Sequence, residues 1–328
     1  MFLVVGEAVV DLIARRGTWV FDACAGGSPL NVAVALARLG QPTRYAGVVG
    51  DDLFGELIRA HLSGNGIGLG HLSDGAAATS VAFARVAEDG SARYDFRFGW
   101  DLDTSALSLD GVACLHVGSL GCAVAPGRSA VLALVERAVD AGIPVSYDPN
   151  VRPALVGTRD EAVAWVERFV ALADVVKASA DDLAWLYPGQ DEHTVLRRWL
   201  SLGRTRLAVS TRGAAGAVAV HAGGTTSAAA PPVTVVDTVG AGDTFTAALL
   251  ARLVAEGALK PGADPGAVKL GADPGAVKLA ADPGAVASRA LTDACAAAAL
   301  VCTVTGADPP TAAMVAEALD EGRGRASG

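Results

Sequence analysis

Short runs of apolar, often β-branched residues alternate along the chain with longer segments in which Ala, Leu and Arg recur at helical spacing. Strand-like runs fall at Leu3–Gly6, Tyr45–Val49, Ala113–Gly118, Pro144–Asp148, Val175–Lys177 and Leu207–Ser210. Helix-like segments lie between them at Pro29–Leu39, Leu53–Leu62, Gly127–Ala141, Arg159–Leu172 and Thr194–Leu202. The strand-like runs are apolar at consecutive positions, as strands buried on both faces must be. The pattern therefore predicts an α/β fold with a parallel sheet covered by helices. One stretch departs from this rhythm. Thr79–Ala87 and Ser91–Phe98 alternate with period two across Glu88-Asp89-Gly90, which is hairpin chemistry. Carrying Tyr94, Phe96 and Phe98, this hairpin is either a small lid over a site or an ordinary edge hairpin.

A tandem repeat is the second departure. Ala-Asp-Pro-Gly-Ala-Val occurs at 263–268, 272–277 and 281–286, with a period of nine. Calcium-binding β-rolls share that period but need more glycines per unit. Each Asp-Pro reads as a helix N-cap followed by Pro at the first helical position. Residues 261–287 are thus expected to be a repeat-expanded surface linker without chemistry of its own.

The 328 residues allow one large or two small domains, and 52% apolar against 19% charged composition excludes general disorder. A net charge of −9 argues against nucleic-acid and membrane partners, which need a basic face. The 26 basic residues comprise 22 Arg and four Lys, and no Lys follows a Gly, so a Gly-Lys-Ser/Thr phosphate loop is ruled out. Five scattered cysteines in apolar surroundings read as reduced, buried thiols rather than a disulfide or zinc framework. The N-terminus reads as a strand, because Glu7 cuts its apolar run short, and not as a signal peptide. The Ala-rich run Ala294–Val304 is too short to span a membrane. A soluble, cytoplasmic protein is expected.

The strongest chemical signal is Asp237-Thr-Val-Gly-Ala-Gly-Asp-Thr-Phe245, between the strand-like Val233–Val236 and the helical Ala247–Glu256. Its glycines permit a tight turn, and the free N–H groups of a helix N-terminus attract an anion. As a dinucleotide fingerprint it fails, because Phe245 occupies the third glycine position. The second signal is Gly26-Gly27-Ser28-Pro29-Leu30-Asn31. Ser28 reads as an N-cap, Pro29 as the first helical residue and Gly40 as the helix stop. The glycine pair and Asn31 have no such structural reading. Asp11, a carboxylate among apolar residues, requires donors, which sugar hydroxyls or a backbone turn would supply.

Together these motifs resemble the ribokinase-like (PfkB) carbohydrate kinase family across nearly the whole chain. Glu7…Asp11, Gly50–Asp52, Asp148-Pro-Asn-x-Arg152, Thr211-x-Gly213-x-x-Gly216 and Gly306-Ala-x-Pro309 fall in the family's order. Gly-Gly-Ser-Pro-Leu-Asn and Asp-Pro-Asn-x-Arg are most similar to the bacterial fructokinase branch. The resemblance implies one kinase domain over 1–328, a three-layer α/β/α sandwich with a small β lid from about 13–21 and 79–98. It implies ATP-dependent phosphoryl transfer to a sugar hydroxyl, with Asp243 as general base and Gly240, Ala241 and Gly242 as the anion hole. Asp11, Gly27, Asn31 and Arg152 would hold the sugar. Lys177, Ser179, Thr211, Gly213 and Gly216 would line the nucleotide site. Mg²⁺ would bridge the phosphates, with Asp182 meeting it through water. Asp237 and the carbonyl of Val239 match a monovalent-cation (K⁺) site, and the resemblance leaves room for a homodimer.

Two departures matter. The family's Asn-x-x-Glu reads Ser179-Ala-Asp-Asp182, and Ser28-Pro29 replaces the Lys-Gly of ribokinases proper. The latter weighs against ribose and for fructose. The rival readings are a 2-keto-3-deoxygluconate kinase, with Arg97 or Arg152 as carboxylate partner, and a catalytically inactive sugar or nucleotide sensor. Intact Asp243 weighs against the sensor.

Overall fold

The structure, a computed structural model, describes residues 1–14, 18–86, 92–260 and 282–326. In chain order its strands are β1 (Phe2–Val5), β2 (Val9–Ala14), β3 (Phe21–Gly26), β4 (Thr43–Gly50), β5 (Leu72–Ala76), β6 (Val81–Val86), β7 (Ala92–Arg97), β8 (Cys114–Gly118), β9 (Val145–Asp148), β10 (Val175–Ser179), β11 (Leu207–Thr211), β12 (Ala217–His221) and β13 (Gly224–Ala228). Its helices are α1 (Ser28–Arg38), α2 (Leu53–Gly64), α3 (Ser119–Ala123), α4 (Gly127–Asp140), α5 (Arg159–Leu172), α6 (Ala180–Leu186), α7 (Glu192–Leu202), α8 (Ala241–Ala255), α9 (Pro283–Val301) and α10 (Ala312–Ala326).

The main sheet has nine strands in the order β13-β12-β11-β10-β9-β8-β1-β4-β5. From β5 to β11 neighbouring strands run parallel, and β12 and β13 close the edge as an antiparallel hairpin. Consecutive apolar residues are explained by burial on both faces: Phe2 and Val4 of β1 enter one core, Leu3 and Val5 the other. The first core is covered by α1, α2, α8, α9 and α10, the second by α3 to α7. This is the expected three-layer α/β/α sandwich.

A second sheet of four strands, β3-β2-β6-β7, stands beside it. The expected hairpin is its β6–β7 pair, and the turn at 87–91 lies outside the described residues. Its other arm is longer than the expected 13–21, because β2 begins at Val9 and β3 ends at Gly26. Asp11 therefore lies on the small sheet. The two sheets are tied by Asp52 and Thr79. Thr79 donates its N–H and hydroxyl to Asp52 at 2.8 and 2.7 Å, and its Oγ1 accepts from the Gly50 amide at 2.9 Å.

Three other expectations change. Val233–Val236 is extended but not a strand, and the Val236 amide donates to Cys302 O at 2.8 Å. Most of the Ala-rich run, Ala294–Val301, is the second half of the 19-residue α9, which is long and apolar enough to cross a membrane. Here α9 is a core helix, with Ala290, Leu291, Ala294 and Ala297 buried in one cluster with α8 residues. The linker's first two repeats lie outside the described residues, but the third opens α9, so the linker ends before residue 287. As its sequence predicts, Asp282 caps that helix, accepting from the Ala285 amide at 3.0 Å, with Pro283 behind it.

Where β1 leaves the main sheet for β2, Glu7 is buried and its Oε2 accepts from the Gly121 amide of α3 at 2.8 Å. Burial pushes its carboxyl up to about 7, against the pull of Ser119 and the backbone donors. An unfolded Glu ionises near 4.5, so between these values the folded chain binds the extra proton. Stability must then fall as pH rises through that window and level off above it. Glu7→Gln keeps the acceptor and removes the titration. Its melting temperature should gain on wild type from pH 5 to pH 8, by an amount equivalent to at most roughly 3 kcal/mol. Parallel melting curves across that range would refute the assignment.

Candidate active site

Parallel strands present all their C-terminal ends at one edge, where open α/β sheets bind ligands. At this edge α8 begins. Gly240 is its N-cap in the left-handed region at φ 77°, and a Cβ there would stand 2.7 Å from the Ala307 side chain. Asp243 lies in the first turn. Its carboxylate is held from α1: Ser28 Oγ donates to Oδ1 at 2.6 Å and Asn31 Nδ2 donates to Oδ2 at 2.8 Å. Ser28 is thus not the N-cap expected of it; Gly27 takes that position and Ser28 makes no capping bond.

The glycine pair now has two separate explanations. A Cβ on Gly26 would lie 2.1 Å from Asp11 Oδ2, so this glycine makes room for the carboxylate on the adjacent strand. Gly27 has φ 106° and a Cβ there would meet Glu7 O at 2.7 Å, so it serves the backbone turn into α1. Among the described residues no donor is hydrogen-bonded to the Asp11 carboxylate. Burial raises its pKa to about 6; the Arg152 charge pulls it down and Asp243 pushes it up. Arg152 itself is exposed, and its guanidinium donates to Asn150 Oδ1 at 2.8 Å.

Lys177 is buried beneath the glycine turn. Its ammonium pairs with Asp148 Oδ2 at 2.8 Å and would lie 3.0 Å from a Cβ placed on Gly242. Burial works against its charge, but Asp148, Asp243 and Asp182 outweigh that and raise its pKa. Ser179 Oγ and N–H both donate to Asp182 Oδ2, at 2.6 and 3.0 Å, and Asp182 Oδ1 accepts from the Val151 amide at 2.8 Å. Ser179 caps α6 in a reciprocal capping box with Asp182. Thr211 stands beside Ser179 in the β10–β11 register. The following turn is closed by the Arg212 amide on Gly216 O at 2.8 Å, with Gly213 and Gly216 at φ 54° and 82°.

Of the expected anion-hole amides, that of Ala241 is turned back onto Thr238 O at 3.2 Å, so its N–H is not free. Gly242 and Asp243, inside the first helical turn, have no intrahelical acceptor and keep the anion-binding geometry. Asp237 holds the turn from below, with Oδ1 accepting from the Thr238 and Val239 amides and Oδ2 from the Gly306 amide at 2.9 Å. Sequence reasoning missed Ser28 as a partner of Asp243 and Asp148 as the partner of Lys177. For Asp148 there was a signal, since an acid ending the apolar run Val145-Ser-Tyr-Asp148 must be paired if buried.

The profile described as "pfkB family carbohydrate kinase" matches residues 2–313. The chain belongs to this family. It is 36% identical over 260 residues to a fructokinase of Klebsiella pneumoniae, covering 77% of this chain and 84% of that one. A fructokinase of Xylella fastidiosa with bound ATP superposes with a TM-score of 0.85 at 27% identity, covering 98% of both chains. A double mutant of the Vibrio cholerae O395 fructokinase, bound to fructose, ADP and potassium, gives a TM-score of 0.78 at 30% identity over 96% of this chain and 97% of that one. As a member of this kinase family the chain is an ATP-dependent sugar phosphotransferase.

The two glycines should then fail differently. Gly26→Ala displaces the Asp11 carboxylate, and if that carboxylate contacts the sugar, as the resemblance implies, the sugar KM should rise by roughly 10-fold or more with kcat less affected. Gly27→Ala forces a left-handed backbone onto a side chain and should lower stability by about 1–3 kcal/mol. A Gly26→Ala enzyme with wild-type KM would show that Asp11 does not contact the sugar.

Proposed function

We propose that the chain phosphorylates D-fructose from ATP, with Asp243 as the general base. The observation that carries this is a carboxylate at the mouth of an anion-binding helix terminus, held by the first turn of α1, with Asp11 near enough to feel its charge and seated against Gly26 just before that helix. The acceptor hydroxyl gives its proton to Asp243 as its oxygen attacks the γ-phosphorus, and the Gly242 and Asp243 amides stabilise the charge on the phosphoryl oxygens. Asp11, an acceptor without donors, and Asn31 receive the sugar hydroxyls, and Gly27 shapes the recess. Arg152, whose charge reaches Asp11, closes over them. Lys177 supplies the fixed positive charge that a phosphate loop would otherwise provide. Ser179, Thr211, Gly213 and Gly216 form the nucleotide edge, and the small sheet acts as the lid.

Magnesium, when bound, neutralises phosphate charge. Because both Asp182 oxygens already accept bonds from Val151 and Ser179, that residue suits contact through water. Asp237 is likewise occupied by backbone amides, so a potassium ion would rely on carbonyls such as that of Val239. The potassium-bound relative supports this reading. Cys114, Cys122 and Cys295 are buried as expected, whereas Cys24 is exposed on β3 and Cys302 half-buried after α9; all five being free supports a reducing compartment, the cytoplasm. For the 2-keto-3-deoxygluconate reading, Arg97 is exposed on β7 in a surface pair with Asp95, which leaves its guanidinium available to a carboxylate.

A substrate panel with ATP, read by ADP release, should give D-fructose the highest kcat/KM over ribose, adenosine and 2-keto-3-deoxygluconate. If 2-keto-3-deoxygluconate leads, the fructose assignment is withdrawn. Asp243→Asn should lower kcat by ~10²–10⁴-fold while calorimetry still detects ATP binding, since backbone amides form the anion site. A variant keeping more than a tenth of wild-type kcat would reduce Asp243 to a helix-terminal carboxylate.

A further inference from the structure

A serine opening a helix ordinarily turns its hydroxyl back to a free amide of its own first turn. Ser28 does not; its Oγ crosses to Asp243 Oδ1, 215 positions away, at 2.6 Å. It is also rigidly presented. It is buried, it follows Gly27 at φ 106°, and it precedes Pro29, whose ring packs where a Cβ on Gly6 would be, at 2.3 Å. Asn31, almost one helical turn on, holds Oδ2. In this arrangement the carboxylate is fastened at both oxygens and cannot rotate.

A sugar hydroxyl must enter this ring, and Asn31, with an amide able to serve the sugar, is the member free to exchange partners. Ser28 has no such second role. We propose that Ser28 is a positioning residue for the base: its hydroxyl holds Oδ1 so that Oδ2 faces the acceptor hydroxyl. This rests on the reading of Asp243 as base. In the step itself, the sugar proton passes to the Asp243 carboxylate and the sugar O–P bond forms. The bond from the γ-phosphorus to the bridging oxygen breaks, its electron pair leaves on ADP, and Ser28 keeps its proton throughout.

The test is steady-state kinetics across pH for Ser28→Ala and Ser28→Thr. Ser28→Ala should lose roughly 10- to 100-fold in kcat, the scale of a hydrogen bond to a charged group, with sugar KM within about threefold. The acid limb of its kcat/KM profile should move to higher pH, because the ionised base has lost a donor. Ser28→Thr keeps the hydroxyl and should recover most of the rate. Should Ser28→Ala not fold, Ser28→Cys, nearly isosteric with a weaker donor, carries the same test. A kcat within twofold of wild type overturns the proposal, and so does a loss of rate with an unmoved acid limb, which would mean packing alone. If Asp243→Asn is inactive while Ser28→Ala behaves as wild type, the role of Ser28 is withdrawn. If Asp243→Asn is active, the base reading fails with it.

Discussion

The first turns of α1 and α8 converge on the Asp243 carboxylate, and the arrangement of the site follows from that contact. Two helix N-termini each present a partial positive charge and unpaired amides. Bringing them together without an anion between them would be unfavourable, and Asp243 supplies one. The contact also explains the composition of both helices. The buried face of α1 is rich in Ala and Val and that of α8 in Ala, Thr and Leu, and their residues share one core cluster. Small side chains let the helix ends approach within one hydrogen bond of each other. Both helices sit on the same face of the sheet, so the contact joins an early segment to a late one at the C-terminal edge of the strands.

That edge gathers several carboxylates, and each is held in its own way. Asp148 is paired with Lys177, Asp182 is absorbed into a helix cap, and Asp237 takes three backbone amides. These three carboxylates are all satisfied within the protein. Asp11 differs, for it is largely desolvated yet without a donor among the described residues, and its raised pKa reflects that. A desolvated acceptor left unpaired is costly, and the cost is relieved when a ligand brings donors. The distinction separates carboxylates satisfied within the protein from one that is not.

Much of the fold could be read from the sequence because its signals are local. Consecutive apolar residues in the strands and helical spacing between them mark the α/β alternation, and Asp282-Pro283 marks the start of α9. The glycine turn opening a helix was legible because one backbone segment carries it, from Gly240 to Asp243, although the bonding of the Ala241 amide to Thr238 was not. What stayed hidden were pairings between distant segments. Ser28 has the residue type of an N-cap, and nothing local says that its hydroxyl crosses to α8. Gly26 looks like its neighbour until Asp11 is seen against it. Val233–Val236 has strand composition, but its last amide, that of Val236, bonds Cys302 rather than a sheet edge.

The repeat segment shows how the same frame tolerates insertion. It joins the end of α8 to the start of α9, and these helices share a common core cluster. The 15 residues of α8 span about 22 Å, so the C-terminus of α8, from which the chain runs on toward the repeats, lies most of a helix length from Asp243. Each repeat carries its own Asp-Pro, and the last of them supplies the cap that starts α9. Duplicating the unit therefore adds chain upstream of an unchanged start signal and leaves the α8–α9 register alone. Closing a longer loop adds little, since the entropic penalty grows only with the logarithm of length. The described ends of the segment, Lys260 after α8 and Asp282 before α9, both lie toward the C-terminal end of α8, where Arg289 of α9 pairs with Glu256, and so at the opposite end of that helix from Asp243.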